Sequence, residues 1–137
     1  IDIKIQLIKG INDELNHLSF KTRFINKGNI AAKYFTSLVT LVNEGWEMFQ
    51  GSWNIREDRN TAQYSTGPNL IIYPSVPTDA GYIELKPINE KSLPNEIVLS
   101  ISLMAENMPV RDIQRVFSVN RSEGEVRLLE VEVPPMK

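Results

Sequence analysis

The sequence predicts an all-β chain folded as one antiparallel two-sheet β-sandwich, and three observations carry that prediction. Short segments alternating apolar with polar residues recur along the 137 positions, as strands with one buried face require. Asn, Asp, Gly and Pro gather between those segments, where turns are needed. No long stretch holds an unambiguous helical period, so the count comes to roughly seven to nine short strands, the pattern of a sandwich. A barrel uses the same strands, but proline-closed rims and an irregular middle favour the open form. The chain has the length of a single domain, and at that size a fold buries about two thirds of its unfolded surface without staples.

Ile1, Ile3, Ile5 and Leu7 alternate with Asp2, Lys4 and Gln6 and form the first strand; Gly10 to Asn16 reads as a loop. Leu18, Phe20, Thr22 and Phe24 alternate with Ser19, Lys21 and Arg23, giving a second strand placed to pair antiparallel with the first. Asn26-Lys27-Gly28-Asn29 supplies residues that tolerate positive φ and bond their own backbone, so the chain turns there. Residues 30–42 fit helical spacing through Ala31, Tyr34, Phe35, Leu38, Leu41 and Val42. Their aromatic and β-branched content (Tyr34, Phe35, Thr36, Val39, Thr40, Val42) favours a strand, with a helix as the alternative.

Residues 43–67 read as an irregular insertion with two tryptophans, holding short edge strands at Ser52–Arg56 and Ala62–Ser65. Leu70 to Tyr73, closed by Pro74 and Pro77, reads as a strand ending at a rim. Tyr82 to Ile88 alternates again. In the clearest late strand Ile97, Leu99, Ile101, Leu103 and Ala105 face one way and Val98, Ser100, Ser102 and Met104 the other, as in a strand covered on both sides; Met108-Pro109 ends it. Ile113–Val119 and Val126–Val133 form a last pair around a loop at 120–125, stopped by Pro134-Pro135. Leu18, Phe20, Phe24, Ile97, Leu99, Ile101 and Leu103 are expected to meet in one core.

Phe20-Lys21-Thr22-Arg23-Phe24-Ile25-Asn26-Lys27-Gly28-Asn29 is similar to the phrase of alternating aromatics followed by Asn-x-Gly found in immunoglobulin-like and fibronectin type III-like sandwich domains of bacterial envelope proteins. Ile83-Glu84-Leu85-Lys86-Pro87, a polar gap and then Ile97 to Leu103 also resemble their Leu-x-Pro stretch before an apolar strand. Together these segments cover about half the chain. The sequence departs from the pattern in its 43–67 insertion and has no paired cysteines. The resemblance implies adhesion, spacing or partner binding, an extracytoplasmic or periplasmic location with membrane anchoring in a full-length protein, and no shared active site.

Composition excludes several function classes. A formal charge of −2 lacks the basic excess that a phosphate backbone demands, so no nucleic-acid partner is expected. The absence of cysteine removes disulfides, thiolate metal sites and a cysteine nucleophile. No apolar run approaches the ~20 residues of a membrane helix, and no signal-peptide pattern is visible. The chain begins at Ile1 and not at methionine, consistent with a processed or trimmed chain whose missing part held a signal or anchor, or with an initiator simply left off. His17 is the sole histidine, so triads and metal sites needing two imidazoles cannot form; it reads as a polar residue opening a strand. Glu57, Asp58 and Asn60 offer oxygens to a hard cation, yet Arg56 and Arg59 beside them make a salt-bridged loop the heavier reading. Asn120-Arg121-Ser122 matches a glycosylation acceptor but arises often by chance. No catalytic residue, metal site or cofactor is expected.

Trp46, Phe49 and Trp53 lie close together in the irregular stretch. Exposed together they form a ligand-binding platform for sugars or a protein partner; folded inward, they plug the sandwich. The leading expectation is thus a non-enzymatic interaction or structural module, one domain of a bacterial envelope or secreted protein, with a protein or glycan partner. Its alternative is a carbohydrate-binding module built on Trp46, Phe49 and Trp53.

Overall fold

Alternating side chains make strands wherever one face has a core to bury against, and ten form among the described residues. The computed structural model describes residues 3–12, 17–67, 70–89, 94–122 and 125–131. Its strands are β1 (Ile3–Asn12), β2 (His17–Asn26), β3 (Thr36–Leu41), β4 (Trp46–Gly51), β5 (Asn54–Ile55), β6 (Thr61–Ser65), β7 (Thr78–Pro87), β8 (Glu96–Met104), β9 (Arg111–Ser122) and β10 (Glu125–Val131). They form a four-stranded sheet in the order β1-β2-β7-β4 and a six-stranded sheet in the order β10-β9-β8-β3-β6-β5. All strand pairings are antiparallel, and no helix occurs among the described residues.

The inner faces meet as the alternation requires. Leu18, Phe20 and Phe24 from β2 and Ile97, Leu99, Ile101 and Leu103 from β8 are all buried. Aromatic pairs join the layers: Phe20 of β2 meets Phe117 of β9 with ring centroids 5.4 Å apart, and Phe24 meets Phe35 at 4.6 Å. On β8 the alternate residues Val98, Ser100, Ser102 and Met104 are half-buried, as expected of a strand flanked by β3 and β9.

Several boundaries differ from expectation. β1 runs through Gly10 to Asn12, where a loop was expected, because Gly10 pairs with Ser19 and Asn12 with His17. Residues 30–35 leave the sheet: Ala32 and Ile72 exchange two backbone hydrogen bonds (2.9 and 3.0 Å) as an isolated bridge, and strand pairing begins only at Thr36. For the same reason 70–73, expected as a strand, contributes only the Ile72 bridge, and Pro74 beyond it a second one to Asn26. The 43–67 stretch carries more order than its composition predicts, since it adds β4 to the small sheet and β5 and β6 to the large one. The β9–β10 pairing runs on to Ser122 and Glu125, into the segment expected as a loop. Asn120-Arg121-Ser122 is therefore strand backbone. Residues 1–2 and 132–133, expected as strand, 13–16, expected as loop, and Pro134-Pro135 lie outside the described residues.

Between β4 and β5 the chain crosses from one sheet to the other beside a bulge. Gly81 sits at φ 77°, and a Cβ there would lie 1.7 Å from Ser52 Oγ, so only glycine admits the crossing chain. Ser52 Oγ accepts the Tyr82 N–H at 2.9 Å, which fixes the crossing. Trp53 follows directly and turns inward.

Candidate functional site

Three loops converge at one end of the sandwich: 27–35 after β2, 66–77 between β6 and β7 (described at 66–67 and 70–77), and 105–110 between β8 and β9. Asn26, fully buried, organises them. Its Oδ1 accepts the Gly28 N–H at 3.0 Å, and its Nδ2 donates to the carbonyls of Ile30 (2.7 Å) and Ile72 (3.2 Å). The expected 26–29 turn thus exists, and its first side chain also ties two loops. The third loop joins through the Glu106 N–H, which donates to the Lys33 carbonyl at 2.9 Å.

This end concentrates exposed apolar surface. Of the nine large apolar side chains that are exposed among the described residues, six belong to its loops: Ile30, Tyr34, Leu70, Tyr73, Val76 and Val110. Single exposed apolar residues are ordinary, whereas a cluster of them marks a contact surface. An open recess of about 540 Å³ lies here, lined by Ile30, Lys33, Tyr34, Ile71, Glu106 and Met108 among others. Tyr34 (φ 49°), Ser75 (φ 63°) and Asn107 (φ 59°) hold left-handed backbone in the same loops. For a bulky residue such as Tyr34 that conformation costs about 1–2 kcal/mol. It is held because neighbouring Phe35 is buried, its N–H donates to Thr66 Oγ1 (3.1 Å) and its carbonyl accepts the Thr66 N–H (2.9 Å). The Tyr34 ring is left 57% exposed. The recess offers rigid contact area with one lysine and one glutamate, a chemistry suited to docking.

The aromatic platform expected from Trp46, Phe49 and Trp53 does not form. Trp46 is 1% exposed and Trp53 3%, so neither presents a ring face to a ligand. Trp46 Nε1 donates to the Glu96 carbonyl at 3.0 Å, and Trp53 Nε1 to the Ala80 carbonyl at 2.6 Å and to Thr22 Oγ1 at 3.1 Å. Each indole is a plug whose one polar atom is satisfied. Phe49 stands apart on the outer side of the small sheet, at the β4 bulge, against His17 (ring centroids 4.6 Å) and with Lys86 Nζ 5.5 Å over its ring.

His17 therefore packs on Phe49 at the start of β2. Asp58 Oδ1 accepts the Asn60 N–H at 2.9 Å, spending that carboxylate on the turn, while Arg59 turns to Glu47 (3.8 Å) and not to its neighbours Glu57 or Asp58. Local pattern alone places Ile30, Tyr34 and Ile71 on strands and Met108 at a strand end, and so does not mark them as a surface. The available signal was apolar residues inside segments rich in Asn, Gly and Pro.

No family model matches the chain, and no curated protein matches it. Solved structures do. A collagen-binding domain from a Staphylococcus aureus adhesin superposes with a TM-score of 0.54 at 11% identity, covering 82% of this chain and 95% of that one. A cohesin module from a Clostridium perfringens family 33 glycoside hydrolase superposes at 0.50 with 13% identity, covering 93% and 95%. At such identities the likeness is one of fold: this chain has an immunoglobulin-like two-sheet β-sandwich.

Proposed function

We propose that this chain is a non-enzymatic interaction module of a bacterial envelope or secreted protein, and that it binds a protein partner through the end built by loops 27–35, 66–77 and 105–110. The observation that carries this reading is the gathering of exposed apolar side chains around a recess on loops rigidly tied by Asn26. Rigid aromatic and aliphatic anchors bind at low entropic cost. The fold shared with an adhesin domain and a cohesin module supports a binding role and a surface location.

The test is binding of the immobilised chain to a panel of extracellular matrix proteins, with collagen as the first probe. Ile30→Asp and Tyr34→Ala should weaken any binding at least tenfold, whereas Val42→Asp and Ile88→Asp at the other end should leave it unchanged. Binding that ignores the loop-end substitutions sinks the proposal. So does robust turnover on a hydrolase panel that one point substitution abolishes.

A further inference from the structure

A free strand edge offers a row of unpaired N–H and C=O groups to any extended chain, so natural sheets blunt their edges. The small sheet ends on β4, whose Met48 N–H points away from β7. That N–H is not left open: it donates to the Arg59 carbonyl at 2.8 Å. The next carbonyl along, that of Asn60, accepts the Leu41 N–H of β3 at 2.8 Å. Two successive carbonyls of the β5–β6 turn thus reach one strand in each sheet. The turn is shaped for this by Arg59 at φ 59°, by the Asn60 N–H donating to Asp58 Oδ1 (2.9 Å) and by the Arg59 N–H donating to the Arg56 carbonyl (2.9 Å). Glu47, on the outer face of β4, adds ion pairs to Arg59 (3.8 Å) and Lys86 (3.4 Å).

We infer that the 56–60 turn is an edge cap that withholds β4 from antiparallel pairing with β4 of a second copy of this chain. A second copy fits because a two-fold axis through Met48 lets each Met48 N–H donate to the other Met48 carbonyl. The same axis sets Glu47 opposite Phe49, so no like charges face each other. The uncapped edge is a self-association surface; the capped edge is inert, which leaves the loop end free to meet other partners.

The test uses the full chain in three variants, followed by sedimentation velocity over rising concentration and by amide hydrogen exchange. Arg59→Pro cannot hold a positive φ, so it swings the carbonyl away from Met48. Replacing 57–60 with Asn-Gly keeps the hairpin as a two-residue turn and deletes the carbonyl that holds Met48. Arg59→Gly keeps the backbone and loses only the guanidinium. The parent and Arg59→Gly should sediment as monomers throughout, while the other two shift from monomer to dimer as concentration rises. In the dimer the Met48 amide should regain the protection it loses on uncapping. Folded uncapped variants that stay monomeric, or dimers that leave Met48 unprotected, overturn the inference. A parent that already dimerises, or failure of both uncapped variants to fold, overturns it as well, the latter because the turn would then be a requirement of the fold.

Discussion

The two ends of the sandwich are finished in opposite ways. At one, the turn around Arg59 and Asn60 spends its carbonyls on β4 and β3, and Trp46 sits beneath, its indole nitrogen held by the Glu96 carbonyl. At the other, the loops spend their hydrogen bonds on one another through Asn26 and Lys33 and leave apolar rings and side chains facing water. The same fold therefore invests one end in joining its sheets and the other in presenting surface, and substitutions at the two ends should act on different quantities.

Trp46→Ala should produce the largest loss of stability, about 3–5 kcal/mol by urea unfolding, because it empties a fully packed site. Ile30→Ala at the other end should change stability by less than about 0.5 kcal/mol. Equal effects would erase the distinction between the ends. Asn26→Ala should cost on the order of 2–3 kcal/mol, since it removes the three hydrogen bonds of a fully buried side chain and unties two loops. Hydrogen exchange should locate the loosening in 27–35 and 66–77.

Tyr34→Gly should raise stability by about 0.5–1 kcal/mol through relief of its left-handed backbone, while removing the ring from the recess. A lower melting temperature would mean that the ring contributes packing that its exposure does not show. The smallest effect is alkaline. Tyr64 packs against Phe24 (5.5 Å) and Trp53 (5.4 Å), and burial pushes its hydroxyl above the usual 10.0. The unfolded chain then releases that proton first. The stability contribution is complete below 10.0 and is lost as pH rises through the higher folded value. Tyr64→Phe should flatten this part of the stability curve above pH 10.0, and identical curves would place water around the hydroxyl.

Legibility followed the physics of each segment. β2 and β8 were readable because their only demand is a buried face, and Phe20 and Leu99 are buried while Lys21 is exposed and Ser100 only half-buried. The tryptophans were not, because plug and platform differ only in partners far along the chain: Trp46 and the Glu96 carbonyl are 50 residues apart, Trp53 and the Ala80 carbonyl 27. The candidate surface was hidden likewise, since Tyr34 reads as a strand residue until Thr66 and Ile72 are seen to hold its segment outside the sheet.

Local sequence by itself determined that the chain is all-β, which faces of β2 and β8 turn inward, and that a turn follows Asn26, because alternation and backbone tolerance act within a few residues. Tertiary structure alone decided that 43–67 serves both sheets, that the indoles point inward and that apolar side chains gather at one end. Each of these depends on hydrogen bonds and packing between segments distant in sequence, and no local pattern encodes the identity of a distant partner.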